Sequence, residues 1–247
     1  MATEFFHCHT HSEFSPLDGM GKIPTLVERA AHLRQEALAI TDHGLMAGSF
    51  QLYKEAKRRD LIPFPGTEAY LVPNVADKRA KRSHVTLLAL NLNGYRGLVA
   101  LSSLTHERSH YHHRPRADYA ALASMHDAGV TNDIALLTGC FYSEPVQALV
   151  HHGHAACRAA IERYASWFPH TFVELQHHHI AREINGVRWD DAQIVEALYD
   201  IAGDLGLPVI VTQDAHVCYQ SDMASHTLMK QIAYRTPPDE AGFPGDS

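Results

Sequence analysis

His9 and His11 stand one residue apart, with His7 ahead of them, in the run Phe6-His7-Cys8-His9-Thr10-His11-Ser12. In extended backbone, alternate side chains share a face, so the three imidazoles line one side about 7 Å apart while Cys8 and Thr10 face the other way. Imidazoles at that spacing reach one ion or two adjacent ions, although a His-x-His alone is weak evidence of a site. Distant residues add donors of the same kind: Asp18, Thr41-Asp42-His43-Gly44, Gly66-Thr67-Glu68, Ser83-His84, Gly139-Cys140 and Asp214-Ala215-His216. Imidazoles and carboxylates with one thiolate suit zinc, manganese or iron better than magnesium or calcium.

Residues so far apart converge only if the elements that carry them line up. Short apolar, β-branched runs at 4–9, 37–41, 62–71, 84–90, 134–138, 171–176 and 208–212 read as seven strands. Amphipathic stretches at 24–34, 46–59, 95–104, 119–126, 154–168 and 190–205 read as helices between them, the first with a proline in its opening turn. That alternation predicts repeated strand-helix units around a largely parallel sheet, closed as an α/β barrel. In such barrels the loops after the strands build the active site. Every expected strand but the sixth has a potential metal donor at or beside its end, which puts the donors on one rim.

The series resembles the polymerase and histidinol phosphatase family, the PHP domain, over nearly the whole chain. The run His9-Thr10-His11-Ser12-Glu13-Phe14-Ser15 is similar to its first signature and Thr41-Asp42-His43 to its second, with later ones at Glu68, His84, Cys140 and Asp214-Ala215-His216. The resemblance implies a distorted (β/α)7 barrel of the PHP type holding up to three divalent ions. Within the family, Ser15-Pro16-Leu17-Asp18-Gly19, Gly66-Thr67-Glu68-Ala69-Tyr70 and Arg114-Pro115-Arg116-Ala117-Asp118 resemble the domain at the N-terminus of bacterial DNA polymerase III alpha subunits. His177-His178-His179 is richer in histidine than that pattern, and the loop 110–113 and the stretch 151–154 match no family role.

Carried over residue by residue, the resemblance implies nine metal ligands: His9, His11, Asp18, His43, Glu68, His84, Cys140, Asp214 and His216. It implies one ion on His9, His11, Glu68 and Asp214, a second on Glu68, His84 and Cys140, and a third on Asp18, His43 and His216, with Glu68 as bridge. Asp214 and Glu68 are then catalytic. His178 sits where the family places a polar rim residue and is a candidate for phosphate contact or proton transfer. Arg114 and Arg116 are candidates to steer a phosphate backbone. Asp42 is expected to orient an imidazole or cap a helix, His7 to support the site, and Cys8 to be core.

The implied activity is a metal-dependent phosphodiesterase, a 3′ to 5′ exonuclease of the proofreading kind within a replicative polymerase. Its partners are then a DNA 3′ end or another phosphate ester, together with polymerase components. A stand-alone phosphomonoesterase and a non-catalytic, metal-stabilised scaffold remain open alternatives. The formal charge of −7 excludes broad electrostatic capture of nucleic acid, so any such contact is local. The charged run 77–82 reads as a solvated loop or a local polyanion contact. Four scattered cysteines with no C-x-x-C pair indicate neither a zinc ribbon nor a disulfide framework. With no apolar run of membrane-spanning length, the expectation is a cytoplasmic protein. The domain is expected to span 1–234, and the breaker-rich tail 235–247 resembles the junction to a polymerase palm that this chain lacks.

Overall fold

The computed structural model describes residues 5–235. Four all-buried residues, Ala37–Ile40, form β1, and the long strand Ile62–Val72 forms β2. Ser83–Ala89 is β3, Arg116–Asp118 β4, Ile134–Leu137 β5, His170–Leu175 β6, Ala181–Ile184 β7, Val187–Asp190 β8 and Val209–Val211 β9. The helices are α1 (Ile23–His32), α2 (Ser49–Lys57), α3 (Leu92–Thr105), α4 (Tyr119–Asp127), α5 (Glu144–His152), α6 (His154–Trp167), α7 (Asp191–Leu205) and α8 (Met223–Tyr234).

The main sheet runs β1-β2-β3-β5-β6-β9, with β4 paired to the far end of β2. Its two edges are joined by residues 7–11. The Ala39 and Thr41 amides donate to the His7 and Thr10 carbonyls at 2.9 and 2.8 Å, while the His11 amide donates to Ala215 and the Ala215 amide to His9 at 2.8 and 3.1 Å. Residues 7–11 therefore occupy the place of the first expected strand without forming a regular ladder, and Glu4 of that strand lies outside the described residues. With six laddered strands and this segment, the wall is a distorted seven-membered barrel.

The sheet is less parallel than the sequence pattern predicts. β3 runs antiparallel to both β2 and β5, whereas β1 with β2, β5 with β6, and β6 with β9 are parallel. The reversal has a use: His84, the second residue of β3, pairs with Tyr70 near the end of β2, so a residue near a strand's start reaches the rim where other strands end. β4, the β7-β8 hairpin, α5 and α8 were not expected. α8 buries no residue fully, which leaves little helical period to read, and β4 has only three residues.

Period-two alternation divides the barrel wall. Leu71, Leu87, Ile134 and Leu136 face outward and pack with Leu98, Leu122, Tyr164 and Phe168 of the surrounding helices. Ala39, Leu88, Ala135 and Leu137 face inward and form a small core with Cys8, Phe6, Phe64 and Phe172. Glu68, His84, Thr86 and Glu174 share the inward face, so the interior is apolar at one end and ionisable at the other. Helix ends are set locally: Asn91 caps α3, which starts three residues before the expected 95, and Asp190 with Gln193 makes a capping box on α7. Among the described residues, no helix is long and apolar enough to cross a membrane. Residues 236–247 of the expected tail lie outside the described residues.

Candidate metal centre

The barrel brings all nine expected donors to its polar end. Glu68 is central, because its two carboxylate oxygens face different neighbours. Oε1 lies 2.7 Å from His84 Nδ1 and 3.8 Å from Cys140 Sγ, and His84 and Cys140 are 3.6 Å apart. Oε2 lies 2.8 Å from His43 Nδ1 and 3.2 Å from His11 Nε2. Asp214 Oδ1 stands 3.3 Å from His9 Nε2 and 3.1 Å from His11 Nε2. Asp18 Oδ2 is 2.6 Å from His43 Nε2 and 3.3 Å from His216 Nε2.

Three donor groups emerge: His9, His11 and Asp214; Glu68, His84 and Cys140; and His11, His43 and His216. The first brings together three of the four residues expected on one ion, without Glu68, and the second brings together the three expected on another. In the third, His11 joins His43 and His216, and its ring lies 4.4 Å from that of His216, so His11 stands between two groups. Asp18 reaches this group through Oδ2, while its Oδ1 accepts from Lys230 of α8.

The imidazoles are held in the tautomer that ligation needs. Glu174 Oε1 accepts from His9 Nδ1 at 2.8 Å, which points Nε2 at Asp214. Ser15 gives its one hydroxyl proton to Asp42, at 2.7 Å, so at 3.0 Å from His11 Nδ1 it can only accept. Both rings thus carry hydrogen on Nδ1 and turn Nε2 toward the carboxylates. Asp42 also takes the Ser12 amide and hydroxyl, both at 2.7 Å, and acts on His11 through Ser15 as an orienting group.

Left-handed backbone places two of the donors. Asp214 has φ of +47°, a region that costs a non-glycine residue about 1–3 kcal/mol. Gly139, at φ +94°, places Cys140; a Cβ there would stand 2.9 Å from the His84 carbonyl oxygen. Its amide donates to Glu174 Oε2 at 2.9 Å, which links the Cys140 turn to the group orienting His9.

Several titrations are displaced. Burial would lower His9 and His43, but Asp214 and Glu174 beside the first, and Glu68 and Asp18 beside the second, raise both well above the ordinary imidazole range. His216 is raised too: burial opposes the shift, and Asp214 and Asp18 outweigh it. Burial would raise Glu68 and Asp214, yet His84 and His43 hold the first, and His9 and His216 the second, well below the usual carboxylate range. Cys140 is pushed far up by burial and by the charges of Glu68 and Asp214, so binding a cation as thiolate releases a proton.

The donor set fits divalent ions. His9 Nε2, His11 Nε2, His43 Nδ1, Glu68 Oε2 and Asp214 Oδ1 are buried without a hydrogen-bond partner, although they converge on one another. Atoms about 2.1 Å from a shared ion stand about 3.0 Å apart at adjacent corners of an octahedron and about 3.4 Å apart in a tetrahedron. The 3.1 to 3.3 Å separations among Asp214, His9 and His11 fall in that interval.

Over the donors opens a cavity of about 250 Å³ whose rim includes Tyr142, His178, Arg182, Lys230 and Tyr234. His178 is therefore at the site, its Nε2 2.8 Å from Gln176 Oε1. The two arginines expected to steer phosphate are elsewhere. Arg116 is buried in β4 and donates to the carbonyls of His110, Asp77 and Val75, which leaves it no free face for a phosphate. Arg114 is exposed and does not line the cavity. His7 is half-buried, and Cys8 is core as expected.

Glu174, Ser15, Arg182 and Lys230 were not foreseen. The one signal for Glu174 was a carboxylate within an otherwise apolar strand, which needs a partner once buried. Ser15 lies within a quoted signature, but its hydrogen bond to His11 depends on a turn. Arg182 and Lys230 sit on the hairpin and the helix that the pattern did not show.

Comparison with known proteins returns the same architecture. Residues 7–178 match the family model described as the PHP domain. The DNA polymerase III subunit alpha of Deinococcus radiodurans is 31% identical over 255 residues, covering 97% of this chain and 18% of that protein. The corresponding subunit of Treponema pallidum is 30% identical over 253 residues, covering 98% of this chain and 20% of that protein. The chain thus spans about a fifth of the length of these curated relatives. A solved amidohydrolase from Chromobacterium violaceum, with bound sulfate and no metal, shares the fold at a TM-score of 0.51 and 13% identity, covering 85% of this chain and 87% of that one.

Proposed function

This chain belongs to the PHP domain family, and from that premise we propose that it is a metal-dependent phosphoesterase that hydrolyses phosphodiester bonds, a 3′ to 5′ exonuclease serving a polymerase III alpha-type replicative polymerase. The observation that carries the reading is the convergence of nine intact donors around Glu68, with five of their buried atoms facing one another at ion-pair distance without a well-directed hydrogen bond. The polymerase setting is supported by the curated relatives, which are DNA polymerase III alpha subunits at about 30% identity. In this reading the partners are a DNA 3′ end and other components of that polymerase.

His9, His11, Glu68 and Asp214 would hold one ion, Glu68, His84 and Cys140 a second, and Asp18, His43 and His216 a third, the metal being zinc, manganese or iron. Divalent ions held there supply Lewis acidity toward a phosphoryl oxygen and lower the pKa of water toward neutrality. The protein's own work is positioning. Glu68 ties the donor groups together, and Asp214 is fixed by a strained backbone at the face of His9 and His11. Arg182, on the cavity rim, offers guanidinium donors to a phosphate, and its Nη2 is steadied by Tyr142 Oη at 3.0 Å. His178, exposed at the same rim, is the group that can pass a proton to the departing sugar oxygen.

The direct test is digestion of single-stranded DNA carrying a 3′-terminal label by metal-loaded protein. The expected result is stepwise loss from the 3′ end, reduced at least about a hundredfold in Asp214→Asn. Equal behaviour of the two proteins would overturn the assignment. Rapid phosphate release from small monoesters without action on DNA would instead identify a phosphomonoesterase. Chelation that destabilises the fold, with no ester hydrolysed, would identify a metal-stabilised scaffold.

A further inference from the structure

Beside the metal centre lies a second, larger concavity of about 960 Å³ that the chemistry above does not use. One wall is the start of β3 and the loop before it, with Lys81, Arg82 and Ser83; the other is α5 and its approach, with Tyr142, Gln147, His151 and His152. Lys78, Arg79 and Lys81 are exposed, and Arg82 lies 5.7 Å over the ring of Tyr70, which itself stacks at 5.7 Å on His43. The one carboxylate on the walls, Glu144, is already engaged by Arg163, by Tyr119 Oη at 2.6 Å and by Tyr164 Oη at 2.9 Å. The local balance is therefore cationic within a chain of formal charge −7. Half-buried His112 registers that field: some desolvation, and then the positive charge of His113, Arg116, Lys78 and Arg82, lower its pKa.

Tyr142 lines both this concavity and the cavity over the donors, so the two adjoin at that side chain. We propose that the concavity is a binding groove for single-stranded nucleic acid, which holds the backbone upstream of the strand end that enters the metal cavity. The proposal rests on the phosphodiesterase reading for what happens at that end. A strand suits the groove because Lys81, Arg82, His151 and His152 meet phosphates, while the half-exposed ring of Tyr142 offers a stacking face that any base can use; the Tyr119 ring is already taken by Arg163 and Trp167. A duplex does not suit it, because the metal cavity of about 250 Å³ has no room for a paired end. An acidic peptide would meet the cations but would leave the Tyr142 ring unused.

The test is fluorescence anisotropy of metal-loaded protein with a labelled oligothymidylate bearing phosphorothioate linkages, read over a salt series. Lys81→Gln/Arg82→Gln should lower the salt slope by about 1.4, two phosphate contacts at about 0.7 each for a single strand. Lys81→Glu/Arg82→Glu should lower it further, whereas Lys54→Gln/Lys57→Gln on α2, which removes equal charge elsewhere, should leave it unchanged. Hydrolysis of a small chromogenic phosphodiester should be unaffected in all three, which also confirms that they fold. Equal losses in the groove and α2 variants would overturn the groove, as would polyglutamate displacing the oligonucleotide as well as unlabelled oligothymidylate does. A chain that cleaves the small diester and DNA while the groove variants bind normally leaves the phosphodiesterase standing and the groove refuted. Groove-dependent binding with no hydrolysis of any ester supports the groove and refutes the activity.

Discussion

Replacing Glu174 with Gln keeps the side chain's shape and removes the charge against which His9 Nδ1 rests at 2.8 Å. Groups that orient a ligand imidazole are commonly worth about 10- to 100-fold in metal affinity, and a loss of that size is expected in competition with a chromogenic chelator. Unchanged affinity would mean that Glu174 is only a buried partner. The donors were legible in the sequence because most sit at or near a strand end and the resemblance to a family pattern supplied the rest, Glu68 within β2 and Asp18 in a loop. Glu174 was not, because its importance lies in a contact across 165 positions. Arg116 was misread for the complementary reason: an arginine beside prolines reads as a loop cation, but here it is a strand residue whose guanidinium is spent on three carbonyls.

At the scale of elements, the turn after β5 places Cys140 and, through the Gly139 amide, also touches Glu174. Gly139→Ala forces a side chain into φ +94° and a Cβ to 2.9 Å from the His84 carbonyl oxygen and 3.0 Å from Ser143 Cβ. A loss of about 1–3 kcal/mol in urea unfolding of the chelated protein is expected, together with weaker ligation at Glu68, His84 and Cys140. A change within experimental error would show that the turn is not strained. Six of the seven expected strands form ladders, among them the short apolar runs of β1, β5 and β9. The 7–11 segment departs because its hydrogen bonds are shared between β1 and the Ala215 segment, a closure that no local pattern encodes. The direction of β3 was also invisible, since a period-two pattern reads the same both ways. α8 was missed, and with it Lys230, whose ammonium sits on Asp18.

At the scale of the molecule, a cluster of opposed charges replaces part of a core, and its stability depends on pH. In chelated protein, His9, His43 and His216 titrate above their unfolded value of 6.5, so their contribution is complete below that pH and is lost as pH rises through the raised values. Asp18, Glu68 and Asp214 titrate below their unfolded values of 3.8 and 4.5, so theirs is complete above those and is lost only in stronger acid. Chelated protein is then most stable between about pH 4.5 and 6.5. Ligation needs neutral imidazoles and an ionised Cys140, so it strengthens with pH. The gap in Tm between loaded and chelated protein should widen from about pH 6 to about pH 8, and a constant or narrowing gap would contradict this. The most direct measurement of the account is elemental analysis of dialysed protein beside Glu68→Ala. A metal-binding PHP barrel should retain about two to three transition-metal ions per chain, and loss of the shared carboxylate should remove more than one; less than one ion per chain, or a count indifferent to Glu68, would contradict it.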